Sequence, residues 1–150
     1  MRLLQTFVTD SDEQTISAGR EIARLLPRVC IVLLIGELGA GKTTITKGIV
    51  EEIAEISRDE VTSPTFTLVH EYTPFLLHLD LYRLETEPEV LSIGFTDLLD
   101  RDALLLIEWG ERFPALIPRE HYEVRITADS ASPDTRRLIQ LFGPGSDRTN

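Results

Sequence analysis

Residues 29–44 read Val-Cys-Ile-Val-Leu-Leu-Ile-Gly-Glu-Leu-Gly-Ala-Gly-Lys-Thr-Thr, and this stretch decides the fold. The first seven residues are an unbroken β-branched and leucine run, the pattern of a strand covered on both faces in a parallel sheet. Glycines then recur at 36, 39 and 41, which implies a tight loop. From Lys42 onward Ile45, Ile49 and Ile53 repeat every fourth position, as an amphipathic helix requires. Strand, glycine-rich loop and helix are thus contiguous, and the loop satisfies G-x-x-x-x-G-K-[ST] in the structural context that gives this pattern meaning.

The chemistry expected of such a loop follows from its backbone. Glycines let successive N–H groups turn inward, and the N-terminus of the following helix adds positive potential, so a chain of phosphates is held without side-chain charge. Glu37, Leu38, Gly39, Ala40, Gly41 and Thr44 are expected to cradle a nucleotide with Lys42 on its β- and γ-phosphates and the Thr43 hydroxyl on magnesium. A ligand-free turn would leave the lysine and threonine without a purpose.

Outward from this unit the chain reads as one domain over residues 1–150, ending in a short polar tail at about 143–150. A first strand is followed by Ser11-x-x-Gln14, a capping-box pattern, and by Ile16, Gly19, Ile22, Ala23 and Leu26 at helical spacing up to Pro27. Residues 67–72 and 76–81 are expected to form a hairpin around Thr73-Pro74, with Leu77, Leu79 and Leu81 on one face and Leu76, His78 and Asp80 on the other. Residues 85–99 suggest short helical pieces broken at Gly94. Ala103 to Ile107 is a second buried strand, and residues 122–128 with 136–142 alternate as a closing antiparallel pair. The expected class is α/β, a P-loop NTPase-like three-layer sandwich whose central sheet is mainly parallel with antiparallel extensions.

A P-loop needs a carboxylate at a neighbouring strand end to hold magnesium or orient the attacking water. Two residues compete. Glu108 follows Leu104-Leu105-Leu106-Ile107, the shape of a Walker B element, and Asp80 follows Leu77-His78-Leu79. Each is also readable as a solvated charge at a loop entrance, although strand-end carboxylates in this class face the ligand crevice. Residues 63–67 (Ser-Pro-Thr-Phe-Thr) fit either a plain turn or a switch-like loop meeting the γ-phosphate. Arg83, Arg101 and Arg112 are weak candidates for stabilising transferred charge. Trp109, the single tryptophan, is expected in the core unless it marks a contact surface.

Composition limits the function classes. Fifteen basic against 25 acidic residues leave a net charge of −10, which repels a polyanion and argues against direct tRNA or DNA binding. Apolar runs are too short to span a membrane, and no charged-then-apolar leader begins the chain, so a cytoplasmic location is expected. Cys30 lies within the apolar run and is expected to be a buried structural thiol. His70, His78 and His121 are not spaced as a metal site, and ordinary surface or strand positions are expected for them. The Asn-Lys-x-Asp guanine-reading motif is impossible, because Asn150 is the sole asparagine.

Four segments together resemble the TsaE (YjeE) family: Gly-Glu-Leu-Gly-Ala-Gly-Lys-Thr-Thr at 36–44, Ser-Pro-Thr-Phe-Thr-Leu-Val-His-Glu-Tyr at 63–72, His-Leu-Asp-Leu-Tyr-Arg-Leu at 78–84 and Leu-Ile-Glu-Trp at 106–109. The resemblance implies a cytoplasmic ATPase that works with TsaB and TsaD to form threonylcarbamoyladenosine in tRNAs reading codons that begin with A, with ATP and Mg2+ as its ligands. It further implies that Lys42 and Thr43 are the phosphate and magnesium residues, Glu108 is a magnesium-side carboxylate, Asp80 is required for activity, and Ser11 and Arg136 lie at the adenine end. Two departures are a short connection at 73–75 and Gly110, where many members carry proline. A small-molecule kinase would need an arginine-rich lid, for which no segment is visible. A nucleotide-gated binding module without hydrolysis is not excluded by sequence.

Overall fold

A computed structural model of the chain describes residues 1–61, 68–129 and 136–145. Its centre is a seven-stranded sheet. In chain order the main elements are β1 (Arg2–Thr9), α1 (Asp12–Leu25), β2 (Cys30–Ile35), α2 (Lys42–Ala54), β3 (Val69–Thr73), β4 (Leu76–Asp80), α3 (Glu87–Ser92), α4 (Phe95–Leu99), β5 (Leu104–Glu108), β6 (Tyr122–Ala128) and β7 (Arg137–Gly143). The spatial order is β1-β7-β6-β2-β5-β4-β3. Pairings β6–β2, β2–β5 and β5–β4 are parallel, while β3 and the β7–β1 pair extend the two edges antiparallel. The expected α/β class with a parallel centre is the one observed.

The two faces of the sheet bury different residues because successive strand side chains alternate. Val32, Leu34, Leu76, Leu104 and Leu106 pack under α1 and α2. Leu33, Leu77, Leu79, Leu105 and Ile107 pack under α3, α4 and the turns that follow β5. Leu81 joins the second group, as the alternation of 76–81 predicts.

Both long helices follow from their ends. Ser11 caps α1 by accepting from the Gln14 N–H, and Gln14 Oε1 accepts from the Asp10 N–H. Helix α2 starts at Gly41 without a side-chain cap. The helices touch through Gly19 and Gly48: a Cβ on Gly48 would lie 2.0 Å from the Ile16 carbonyl oxygen, and one on Gly19 would lie 2.3 Å from that of Ile45. Gly94 breaks the α3–α4 segment with φ +80°, where only glycine is comfortable.

Some expectations need correction. Ile45 and Ile49 are fully buried, but Ile53 is exposed, because α2 ends one residue later at Ala54. Strand β3 begins at Val69; Thr67, with the whole 63–67 loop, lies outside the described residues. Cys30 is only half-buried, and its Sγ–H donates to the Pro27 carbonyl. Burial pushes its thiol up to about 12, so it stays protonated at neutral pH, as a structural thiol should. Among the described residues no helix is long and apolar enough to cross a membrane.

Candidate functional site: a crevice at the strand ends

The parallel register brings the chemistry to one end of the sheet. Asp80 and Glu108 are the last residues of β4 and β5 and stand directly abreast, while Leu34 of β2 is the partner of Glu108 on the other side. The loop at 36–41 leaves β2 at this same end. Gly36 is required where the chain passes β6, since a Cβ would come within 2.8 Å of the Ile126 carbonyl oxygen. Gly39 and Gly41 have φ of +79° and +111°, conformations that L side chains adopt only with strain. The Arg137 guanidinium holds the loop from outside by donating to the Ala40 carbonyl at 2.9 Å.

The loop, the start of α2 and the strand ends enclose a cavity of about 370 Å³. Gly39, Gly41, Lys42, Thr43 and Thr44 form one side; Asp80, Glu108, Tyr82 and Trp109 form the other. Lys42 is only 5% exposed, yet its Nζ has no hydrogen-bond partner. The ammonium lies 4.0 Å from the centre of the Trp109 ring and 3.9 Å from Glu108 Oε1. Burial lowers the Lys42 pKa, and the charges of Glu108, Glu111 and Asp80 oppose that shift. An enclosed cation without hydrogen bonds is costly; an anion delivered to this cavity would relieve it.

Both carboxylates are 3% exposed, which removes the solvated-charge alternative for them. Asp80 Oδ1 accepts from the Tyr82 N–H at 2.9 Å, a turn that fixes the side chain at the strand end. Glu108 Oε2 is 2.7 Å from His78 Nε2. Trp109 follows with φ +65°, the left-handed region; it packs against the core of this face, as expected, and is also partly exposed where it lines the cavity. Strain at such a position is characteristic of functional sites.

A second cavity of about 330 Å³ shares Gly39, Gly41 and Thr44 with the first and continues to Asp10, Ser11, Asp12, Thr15 and Arg137. Ser11 therefore borders the loop. Arg136 does not line this cavity; it pairs with Asp10 at 2.9 Å and Asp129 at 3.7 Å. The arginine in the wall is its neighbour Arg137. Two of the other arginines are engaged elsewhere: Arg112 donates to the carbonyls of Leu81, Tyr82 and Leu84, shaping the turn after β4, and Arg101 binds Glu71 and the Pro74 carbonyl. Sequence reasoning missed the buried His78–Glu108 contact and the wall position of Arg137. The one signal for the first was a histidine two residues before Asp80 on the same face.

Among the described residues no group of three or more His, Cys, Asp or Glu is placed to hold a metal by itself. Asp80, Glu108 and Thr43 line the same cavity.

Comparison with known proteins gives the family. The family model described as threonylcarbamoyl adenosine biosynthesis protein TsaE matches residues 9–138. A protein of Haemophilus influenzae named tRNA threonylcarbamoyladenosine biosynthesis protein TsaE is 36% identical, covering 83% of this chain and 80% of its own. Its namesake in Aquifex aeolicus is 37% identical, covering 75% and 81%. Among solved structures, "Crystal structure of Bacillus subtilus YdiB" superposes with a TM-score of 0.72 at 26% identity, over 97% of this chain and 89% of that one. By its family model, its relatives and its fold, the chain belongs to the TsaE family of tRNA threonylcarbamoyladenosine biosynthesis proteins.

Proposed function

We propose that the chain is a magnesium-dependent ATPase that supports the tRNA-modifying reaction with TsaB and TsaD in the cytoplasm, the tRNA being held by the complex and not by this acidic chain. The observation that carries this is the buried, hydrogen-bond-free ammonium of Lys42 at the uncapped start of α2, facing two buried carboxylates. Phosphate oxygens would supply what Lys42 and the helix-initial N–H groups of residues 41–44 lack, the Ala40 N–H already donating to the Glu37 carbonyl.

The residues present fit magnesium as well as phosphate. Magnesium keeps several waters and takes few protein ligands, usually one or two carboxylates beside substrate phosphates, and Thr43, Glu108 and Asp80 offer no more than that. Bound there, the ion would neutralise charge developing on the phosphates. The chain's own contributions are distinct. Lys42 binds the β- and γ-phosphates, and the 36–41 backbone orients them. Asp80 and Glu108 would hold the metal and orient the attacking water, and Trp109 and Leu38 line the mouth. Ser11 and Arg136 are proposed for the adenine end, where Arg137 is now a third candidate.

Turnover of ATP, and threonylcarbamoyladenosine formed over many cycles, measured with this chain, TsaB and TsaD each omitted in turn, tests the proposal. The expected result is slow hydrolysis by the chain alone, stimulation by the partners, and modification that stalls without it. Calorimetry should show ATP binding far more tightly than GTP. Repeated modification in its absence, or an ATPase indifferent to the partners, would overturn the assignment.

A further inference from the structure

His78 is fully buried and lies on the face of β4 that carries Asp80. Its partner directly across in β5 is Leu106, two residues before Glu108. The ring reaches along the sheet to bring Nε2 within 2.7 Å of Glu108 Oε2. A carboxylate can only accept, so the hydrogen is on Nε2 and the imidazole donates. The other carboxylate oxygen, Oε1, is thereby turned toward the loop, 3.9 Å from Lys42 Nζ. The ring is itself backed. Tyr72 stacks against it with centroids 6.4 Å apart and planes at 23°, and His70, the cross-strand partner of His78, stacks on Tyr72 at 4.1 Å. Three rings from the β3–β4 pair thus form a rigid wall behind one hydrogen bond.

We propose that His78 is a positioning residue that fixes the Glu108 carboxylate in the rotamer presenting Oε1 to the metal side of the crevice. This rests on the ATPase reading and adds to it the residue that sets the geometry of its metal-side carboxylate. A glutamate at a strand end has three rotatable bonds, and without a fixed partner it samples several orientations. Groups that hold metal-side ligands in this way are worth about 10–100-fold in metal affinity or activity when removed. A histidine present only to fill the core would need some acceptor, but not one of the two carboxylates that line the cavity.

Three substitutions separate positioning from packing. In His78→Gln the amide N–H reaches the place of Nε2 and keeps the donor. In His78→Asn the amide is too short and reaches only the place of Nδ1, and His78→Phe keeps the ring without any donor. The readouts are ADP affinity without metal, Mn2+ affinity of the ADP complex by EPR, and ATP turnover with the partners present. Metal-free ADP affinity should be unchanged in all three. Mn2+ affinity or turnover should fall about 10–100-fold in His78→Asn and His78→Phe, and stay within about threefold of wild type in His78→Gln. If His78→Phe fails to fold, the Asn and Gln variants decide alone. His78→Asn matching wild type, or His78→Gln falling as far as His78→Asn, would overturn the inference. A wild-type protein that neither binds Mn2+ with ADP nor hydrolyses ATP would instead remove the ATPase reading on which the inference stands.

Discussion

Two clusters of charge in this molecule use the same residue types to opposite effect. On the outer side of α1 and α2, Glu51 accepts from both Arg20 and Arg58, and Arg58 also binds Glu13, all at the surface. Every partner there is satisfied within the cluster. In the crevice Lys42, Asp80 and Glu108 are almost completely buried, and the lysine makes no hydrogen bond. The first cluster has nothing left to offer a ligand; the second holds a buried cation without a hydrogen bond. Charge by itself therefore says little about function: burial without satisfaction distinguishes the site.

Substitutions should split along the same line. The largest effect is expected from Lys42→Ala, which should lower turnover about 10³-fold, or about 4 kcal/mol of transition-state stabilisation, while barely moving the unfolding midpoint. Denaturation and ATPase measurements on the same preparation check both halves. A variant hydrolysing ATP at the normal rate with partners present would dissolve the distinction between the clusters.

Gly48→Ala should do the reverse. Alanine is the better helix former by about 1 kcal/mol, yet its Cβ would meet the Ile16 backbone at 2.0 Å. The helices must separate, at a cost of about 3 kcal/mol. Urea unfolding reads this directly, and a stabilised variant would show that the α1–α2 contact yields easily. Any residual folded protein should keep its nucleotide affinity.

Asp80→Ala and Glu108→Ala come next, with turnover lowered on the order of 10²-fold and nucleotide binding retained, because each group acts mainly on the transition state. Full activity in both would return them to structural roles.

How much of this was legible beforehand differs between backbone and contacts. The β2 and β5 runs, the loop and the residue at each strand end could be read because hydrophobic periodicity and glycine placement are local signals. Placing β1 at the far edge beside β7 could not, since residues 2–9 pair with residues 137–143 across nearly the whole chain. The neighbourhood of His78 and Glu108 was hidden for the same reason: it depends on the register of β4 against β5, which no local pattern encodes. Ile53 misled because periodicity continues past the point where the sheet stops. Trp109 keeps the core contact expected of a tryptophan, but the left-handed backbone that also sets it over Lys42 has no local signal.

The smallest expected effect lies in the satisfied cluster and depends on pH. Hydrogen bonds from Arg58, then from Arg20, hold the Glu51 pKa below its ordinary value. The folded state therefore releases this proton more readily than the unfolded chain. The resulting stabilisation is complete above the ordinary glutamate pKa of about 4.3 and is lost as pH falls through the depressed folded value. In Glu51→Gln the amide cannot ionise, so this contribution disappears at every pH. Urea unfolding of wild type and variant at neutral pH, near pH 5 and near pH 3.5 should show a small, constant advantage for wild type at the first two and a narrower one at the third. Turnover with partners should be the same for both. An equal acid slope in the two proteins would mean that the Glu51 network contributes nothing measurable, as many exposed ion pairs do not, and that α1 and α2 are held without it, by their buried apolar residues and close glycine contact.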